Sequence, residues 1–509
     1  MTRDPLRIAF VTTALLAGGI FWIAPRPGMG DFSEHAAQIA LLHDLVAGSS
    51  RWADLVRVNY FTPYWVGYGL ALPLSFVMPV VSAMKLLLTL AYYGYVAACV
   101  ALRRTFHDDD RLDWLFLPGF FGLAFQYGFF TYLVAAPLGI LFLWVARRYA
   151  TSPTRAGGLR LFAAGVLLFF CHALVFLFAC AAAVGFLLVE RRPLRAAAAS
   201  LAPFAGLGLL CVAYFAYARL HDPLLALTKA GPVSSESVDW EWTRSWGWHR
   251  ALNFPLFVFA SGGRDSLFFG FCIVFVAAPW LMGWRPNRTV PASFVTFAVA
   301  VAVWFLIPAY AMKTQYLYQR AAIFLLPAYA VAFRPSPDAQ AATRARARWV
   351  PTVLAGLCIW FLAVIGDRER RFTAEAAGFE TVLAAAAPGE RALGLVFAPA
   401  SDVIRNPYTF HAHAVWYEVD KGGFVDFNFA AFLPQVVRFR DDKFPRRFNG
   451  LEETPEEFDW KATGGRAYRY FFVRHLAPLP PALFDNEECR VELRAESRDW
   501  SLFERMECR

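Results

Sequence analysis

The chain has 509 residues, of which 58% are hydrophobic and 17% charged, and its formal net charge is +9. A soluble protein of this length would carry fewer apolar and more charged residues, so the composition indicates a polytopic membrane protein. Arginines at the ends of apolar segments account for the positive charge, and no nucleic-acid partner is needed to explain it.

Apolar runs long enough for membrane helices recur along the first 366 residues. The basic start and first apolar run are similar to a signal peptide, but no A-x-A site precedes the next polar segment, so we interpret the run as a retained helix. The runs 114–146 and 159–189 are each too long for one helix and predict two hairpins. Together the runs predict about eleven spans: 8–24, 83–102, 114–127, 131–146, 159–171, 173–189, 197–217, 267–284, 291–311, 319–333 and 350–366.

The placement of arginines predicts the orientation. A twelfth run, 61–82, is interrupted by Pro63, Pro73 and Pro79. If it re-enters or lies embedded in the surface, and the N-terminus is cytoplasmic, the long loops 25–60 and 218–266 are extracytoplasmic and poor in Arg and Lys. If it spans, the arginine-rich loops face outward, so the charge pattern favours a non-spanning segment. The predicted cytoplasmic loops, all rich in arginine, are 103–113, 147–158, 190–196, 285–290 and 334–349.

Residues 367–509 are charged and contain no spanning run. They predict a soluble α/β domain, extracytoplasmic on this orientation, that follows a transmembrane domain of residues 1–366. Cys489 and Cys508 lie in this tail and would pair in an oxidising compartment, but the sequence leaves their pairing open. His411 and His413 share one face of a predicted strand and are too few for a zinc site.

The first extracytoplasmic loop combines acids and histidines just after the first span. Apolar residues at helical spacing from Ser33 onward predict an amphipathic helix along the membrane surface. In one interpretation, Asp31 or Ser33 caps this helix and Glu34 lies in its first turn. In the other, Asp31 is the general base of an enzyme, and Glu34 or His35 assists it or helps to hold a divalent metal ion.

The order of short motifs along the chain resembles the GT-C superfamily, whose members are integral membrane glycosyltransferases that use polyprenyl-phosphate-linked sugars. The superfamily includes protein O-mannosyltransferases and the aminoarabinose transferases of lipid A. The resemblance covers most of residues 1–366. It rests on Gly30-Asp31 followed by Glu34-His35, on the segment 59–64, on the hairpin 116–144, on His172, and on Tyr318-Gln319-Arg320 with Pro327.

The resemblance implies a substrate site at the outer face of the membrane. Many members carry an acid near the tip of the second hairpin, whereas this chain has Gln126, Tyr127 and Thr131 there. Phosphate recognition favours arginine, so Arg320 is a candidate for the donor phosphate, although an arginine at a span boundary also snorkels to headgroups. The implied substrate-binding residues are Arg320, Lys313, His172, Tyr127, Gln126, Tyr318 and Trp246.

Two further residues of this set also have simpler explanations. A histidine between membrane helices often serves packing, which is the alternative for His172. Trp246 belongs to a tryptophan-rich loop that either covers a substrate or lies at the bilayer interface.

The resemblance therefore implies a glycosyltransferase of the bacterial inner membrane. Its partners would be a polyprenyl-phosphate sugar donor, membrane lipids, and an acceptor that is a glycan, a lipid or a protein. One alternative is a catalytically silent GT-C-like protein that binds a polyprenyl lipid or acts as a scaffold. The other is a transporter, although the sequence shows neither internal repeats nor ionisable residues in mid-span.

Overall fold

A computed structural model describes residues 5–221, 247–259, 266–311, 314–336, 341–426, 428–444 and 454–509. Most of these residues are helical, in the helices α1 (Pro5–Ala17), α2 (Phe32–Ala47), α3 (Trp65–Ser75), α4 (Val80–Arg103), α5 (Phe116–Gly119), α6 (Leu123–Gln126), α7 (Phe130–Thr151), α8 (Arg155–Cys171), α9 (Ala173–Val189), α10 (Leu194–Ser200), α11 (Ala202–His221), α12 (His249–Leu252), α13 (Phe254–Val258), α14 (Ser266–Leu281), α15 (Val295–Leu306), α16 (Ala322–Val331), α17 (Ala341–Glu375), α18 (Ala377–Ala385), α19 (Trp416–Lys421) and α20 (Trp460–Thr463). The strands are β1 (Val56–Val58), β2 (Arg285–Pro286), β3 (Phe333–Arg334), β4 (Arg391–Val396), β5 (Phe424–Val425), β6 (Val437–Phe439), β7 (Tyr470–Arg474), β8 (Cys489–Ser497) and β9 (Trp500–Cys508).

Several helices are long and apolar enough to cross a membrane, as the composition predicts. Among the described residues five meet both criteria, and they are Pro5–Trp22, Val80–Arg103, Phe130–Thr151, Ala202–His221 and Trp349–Ala385. Shorter apolar helices cover Ala173–Val189, Gly270–Leu281 and Pro291–Leu306. The number of spans stays a prediction.

The chain divides into two compact units. The first comprises Met1–Phe21, Leu87–Phe125 and Thr131–Gly366, and the second comprises Trp22–Leu86, Gln126–Phe130 and Asp367–Arg509.

The first unit is a helical bundle built on close approaches of apolar side chains. Helix α8 packs against α9 and α11, and α9 and α16 both pack against α15. A Cβ atom added to Gly165 of α8 would lie 2.5 Å from a methyl carbon of Leu207 in α11. Small residues at such contacts let membrane helices approach closely, which replaces the hydrophobic driving force that lipid does not supply.

The predicted span 114–127 is not one continuous helix. It forms a 3-10 turn (Asp113–Leu115) and the short helices α5 and α6. Pro118 lacks the N–H that would continue a helical ladder, and Gly119 and Gly122 add backbone freedom. The run 159–189 does divide into two packed helices, and His172, which separates α8 from α9, is extended (φ −168°).

The predicted non-spanning run 61–82 contains the short helix α3. Helix α3 has 11 residues, so it is about 16 Å long, against the roughly 30 Å of a bilayer core. Pro73 lies inside it and a break follows before α4 begins at Val80. This length is what a re-entrant or embedded segment requires, while its path through the membrane stays a prediction.

The second unit is organised around a five-stranded mixed sheet with strand order β5-β4-β7-β9-β8. Strand β4 pairs in parallel with β5 and β7, and β9 pairs antiparallel with β7 and β8. Cys489 and Cys508 form a disulfide that joins the ends of the β8–β9 hairpin.

The same unit contains the loop that follows the first span. Strand β1 pairs antiparallel with β6, so that Val56 faces Phe439 and Val58 faces Val437. Helix α2 packs against α3 and α19. The helix was predicted, but its description as an amphipathic helix on the membrane surface is wrong for its first half, because every residue from Phe32 to Ile39 is buried. Protein, rather than lipid, covers both faces there.

Candidate active site

Asp31 occupies the N-cap position of α2, between the preceding glycine-containing loop and the helix. Its backbone is not in the extended capping conformation (φ −85°, ψ 5°), and its carboxylate makes no capping hydrogen bond to the first turn among the described residues. The Ser33 hydroxyl does not cap the helix either, because it donates a 2.7 Å hydrogen bond to the Ala412 carbonyl. Helix capping by these two side chains, the simpler explanation of the motif, is therefore not observed.

The tip of the second hairpin packs directly on this position. The N–H of Gly30 donates to the Gln126 carbonyl (3.3 Å), and the N–H of Asp31 donates to the Tyr127 carbonyl (2.8 Å). Gly128, at φ +77°, brings its Cα so close that an added Cβ would lie 3.0 Å from the Asp31 nitrogen. The structure thus places the main chain of Gln126 and Tyr127 against Gly30 and Asp31, while the roles of the Gln126 and Tyr127 side chains toward a substrate stay predictions.

A loop of the C-terminal region completes these surroundings. Asn406 is buried, and its Nδ2 donates to the Gln126 carbonyl at 3.3 Å. Its Oδ1 accepts a 2.9 Å hydrogen bond from the Tyr408 N–H, and the Tyr408 side chain is 42% exposed. Sequence reasoning missed both residues. The Asn-Pro pair at 406–407 signals a turn, but nothing in the sequence links that turn to Asp31.

Glu34 and His35 are buried, and both form hydrogen bonds with neighbouring protein groups. Glu34 Oε2 accepts a 2.9 Å hydrogen bond from the N–H of Phe429. His35 Nδ1 lies 2.6 Å from the Tyr68 hydroxyl, which donates to Gln435 at 2.7 Å. Since the hydroxyl has one proton, Nδ1 is the donor toward Tyr68. These contacts give the two side chains positioning roles, and their assistance to Asp31 stays a prediction.

The residues of this motif do not form a metal-ligand set. Glu34 and His35 direct a carboxylate oxygen and a ring nitrogen at protein groups instead of at a shared point. Among the described residues, no group of three or more His, Cys, Asp and Glu side chains could hold a metal ion. We therefore derive no step through a divalent ion.

Two charged side chains that sequence reasoning did not select hold the loop before Asp31. Lys85 Nζ donates a 2.5 Å hydrogen bond to the Ala24 carbonyl, and Glu369 Oε2 accepts a 2.9 Å hydrogen bond from the Gly28 N–H. Both side chains are buried. Each interrupts or borders an apolar run, and an ionisable residue at such a position is a signal that could have found them.

Arg26 anchors the same loop to the C-terminal region. Its guanidinium lies 2.6 Å from a Glu380 oxygen and 2.7 Å from an Asp420 oxygen, and it stands 4.9 Å from the centre of the Trp416 ring. Two carboxylates and an aromatic face thus contact one cation. The loop that presents Asp31 is consequently held at its start by the ion pairs of Arg26 and at its end by the main-chain hydrogen bonds of Gly30 and Asp31.

The two histidines of the tail belong to the packed interior of the second unit. They do not lie on a strand as predicted, because 407–412 forms turns and His413 begins a 3-10 turn (His413–Val415). Burial lowers the pKa of His411 to about 4 and that of His413 well below its ordinary value. The His413 ring packs on Phe379 and Trp500, with ring centres 4.7 and 5.7 Å apart.

In the first unit, Tyr132 connects two further predicted site residues. Its hydroxyl donates a 2.6 Å hydrogen bond to the Arg320 carbonyl, and the Arg320 guanidinium lies 5.9 Å from the centre of its ring. The His172 ring meets the same tyrosine edge to face at 5.1 Å. His172 Nδ1 also accepts the Leu174 N–H at 3.2 Å and so caps α9. Arg320 and His172 therefore both contact Tyr132, and His172 caps α9, a structural role different from the packing role given as its alternative.

Tyr318 is occupied by packing in the first unit. The guanidinium of the buried Arg250 lies 4.0 Å from the centre of its ring, and Trp304 packs on its edge at 5.2 Å. Lys313 and Trp246, the remaining predicted substrate contacts, lie outside the described residues. The roles predicted for all these residues toward a substrate stay predictions.

No protein-family model matches the sequence, and neither does any curated protein. The fold, however, has a counterpart among solved structures. Among solved structures, the chain is similar to the crystal structure of ArnT from Cupriavidus metallidurans in the apo state, with a TM-score of 0.55 and 13% sequence identity. The likeness covers 97% of each chain, so it includes the C-terminal region as well as the helices. At this identity it establishes the fold.

Proposed function

We propose that the protein is a membrane glycosyltransferase that uses a polyprenyl-phosphate-linked sugar at the outer face of the bacterial inner membrane. The observation that carries the proposal is the contact of the Gly30–Asp31 backbone with the tip of the second hairpin, within a fold shared with an aminoarabinose transferase over nearly the whole chain. This contact combines the acidic loop and the hairpin that the resemblance associates with the active site.

The chemistry requires a base, an anomeric carbon and a phosphate leaving group. An acceptor hydroxyl oxygen attacks the anomeric carbon, the bond from that carbon to the donor phosphate oxygen breaks, and the phosphate leaves on its polyprenyl chain. Asp31 takes the hydroxyl proton as general base. Arg320 neutralises the phosphate, because its planar guanidinium matches phosphate oxygens. The sugar and the acceptor are unassigned.

The disulfide supports an extracytoplasmic position of the C-terminal region. Cys489 and Cys508 are paired, and structural disulfides persist in oxidising compartments such as the periplasm. The arginine-rich loops 103–113 and 147–158 fit the opposite, cytoplasmic side. A donor whose lipid tail lies in the bilayer would then present its sugar on the side that carries Asp31.

The substitution Asp31→Asn tests the proposal. Asparagine keeps the main-chain hydrogen bond to Tyr127 and removes the basic carboxylate, so we expect transfer to fall at least about 100-fold. The assay follows transfer of radiolabelled sugar from a panel of synthetic polyprenyl-phosphate hexoses and pentoses to membrane acceptors. Asp54→Asn, an exposed aspartate of the same loop, is the matched control. Full transfer by Asp31→Asn would remove Asp31 from the mechanism.

A catalytically silent lipid-binding protein is the second candidate. The burial of Glu34 and His35 in packing contacts favours it, because only Asp31 of the three acid–base candidates is partly exposed. In that case the wild-type protein would bind polyprenyl phosphate in detergent and transfer no sugar from any member of the panel. A transporter has no observation in its favour among the described residues.

A further inference from the structure

The first unit contains a cavity of about 450 Å³ between α1, α4, the loop that follows α4, and α17. This volume lies within the roughly 300–1,000 Å³ of typical ligand sites. One wall is apolar and is formed by side chains of α1 and α4, including Phe10, Val11, Leu15, Val96 and Val100. The Tyr93 hydroxyl donates a 2.7 Å hydrogen bond to the Leu15 carbonyl at this end.

Charged side chains collect at the other end, at the start of α1 and the end of α4. From Arg7 to Leu15 the helix rises about 12 Å, so the apolar wall extends well away from the charges. The charged lining residues are Arg7, Arg103, Arg104, Asp108, Asp110, Arg111 and Asp113. The long apolar wall matches the acyl chains of a lipid, and the charged mouth at the helix ends matches its headgroup.

Some of these charges are already neutralised. Arg103 and Asp113 form a buried two-point ion pair at 2.8 and 3.0 Å, and Arg111 pairs with Asp109. Arg7, Arg104, Asp108 and Asp110 form no salt bridge among the described residues, and none of the four is buried. The mouth therefore offers two cations and two anions to a ligand.

We propose that this cavity binds a glycerophospholipid whose headgroup carries both a phosphate and a primary ammonium, of the phosphatidylethanolamine type. Arg7 and Arg104 pair with the phosphate, and Asp108 and Asp110 accept hydrogen bonds from the ammonium. An anionic headgroup would meet the two aspartates with the same sign of charge. A trimethylated headgroup keeps the positive charge but has no N–H to donate. On the predicted orientation, the headgroup lies at the cytoplasmic face.

Native mass spectrometry of the full-length protein tests the proposal. Delipidated protein in detergent is mixed with equal amounts of phosphatidylethanolamine, phosphatidylcholine and phosphatidylglycerol of one acyl composition. We expect the ethanolamine lipid to be bound about fivefold more than either competitor, the size of one exposed charge-assisted contact. Equal binding of all three, or preference for phosphatidylglycerol, would overturn the proposal.

Three sets of variants assign the preference to the cavity. Asp108→Asn with Asp110→Asn should abolish the preference for phosphatidylethanolamine over phosphatidylglycerol, because neutral amides no longer repel the anionic lipid. Arg7→Gln with Arg104→Gln should weaken the binding of all three lipids, because each of them carries the phosphate. Ala97→Trp, at an exposed position of the apolar wall, should reduce binding of every lipid.

A charge-matched pair outside the cavity serves as the control. Asp485→Asn with Glu487→Gln removes two exposed acids from the C-terminal region and should leave the lipid ratios unchanged. Size-exclusion profiles identify any variant that fails to fold. If the preference survives in folded Asp108→Asn/Asp110→Asn protein, the lipid binds elsewhere and the proposal is wrong.

Discussion

Gly128, in the tip of the second hairpin, has a backbone conformation and a close packing against Asp31 that disfavour any side chain at this position. Its φ is +77°, a conformation that costs a residue with a side chain about 1–2 kcal/mol. An alanine Cβ at this position would lie 2.8 Å from the Phe32 nitrogen and 3.0 Å from the Asp31 nitrogen. Those neighbours are backbone atoms, so Gly128→Ala must move either the tip or the start of α2.

The expected magnitude has two parts. The left-handed conformation contributes the first 1–2 kcal/mol or so. Moving the tip also disrupts the 2.8 Å hydrogen bond from the Asp31 N–H to the Tyr127 carbonyl, which is worth about 1 kcal/mol. Gly48→Ala is the matched control, because Gly48 has φ +70° and open space around its Cβ position. Gly48→Ala should therefore lose stability through the left-handed conformation but should leave the hydrogen bond of the Asp31 N–H intact.

Hydrogen–deuterium exchange of the detergent-solubilised protein measures the difference locally. We expect the Asp31 amide to exchange about thirtyfold faster in Gly128→Ala, which corresponds to about 2 kcal/mol. In Gly48→Ala that amide should exchange at the wild-type rate. An Asp31 amide that is equally protected in both variants would refute the packing of the hairpin tip on this loop.

Three further predictions concern other parts of the chain. Replacing Cys489 and Cys508 by serine should destabilise the β8–β9 hairpin by about 3 kcal/mol, seen as faster amide exchange, and an unaffected hairpin would show that the bond is dispensable. Burial raises the pKa of Glu418 from 4.5 to about 8. Between these two pH values the folded protein holds a proton that the unfolded chain has lost, so the free energy of unfolding should fall as the pH rises from 4.5 to about 8. In thermal unfolding at pH 5 and pH 8, Glu418→Gln should lack this part of the slope, while an identical slope would contradict the burial. His172→Ala should cost about 1 kcal/mol through the lost cap of α9, and His172→Asn should recover it; failure of asparagine to recover thermal stability would indicate a role other than capping.

The long apolar helices were predictable because their signal is local. Helices α4 and α7 cover the runs 83–102 and 131–146, and α17 covers 350–366. The same reasoning failed for 114–127, where hydropathy is high but Pro118, Gly119 and Gly122 interrupt the helix. The hydrophobic composition of a segment indicates whether it prefers lipid or water. Whether the segment forms one continuous helix depends on single residues such as Pro118.

The surroundings of α2 were not predictable, because they come from pairings between distant segments. Gln38 exchanges two hydrogen bonds with Val437, and Asn59 donates to the Leu433 and Gln435 carbonyls. The hydrophobic pattern of α2 is compatible with a membrane surface or with a protein interior. Only the tail distinguishes the two, and no local rule links residues so far apart in the chain.

The same distinction applies to Asp31. The resemblance predicts an acidic side chain in the hairpin tip, and this chain has none there. The contacts with Gly30 and Asp31, however, use the main-chain carbonyls of Gln126 and Tyr127. A main-chain contact tolerates many side chains but requires the glycine that follows, so Gly128 is a better sequence signal for this packing than the missing acid. The lack of that acid therefore does not weaken the positioning of Asp31, and a second carboxylate, if the reaction needs one, must come from another segment.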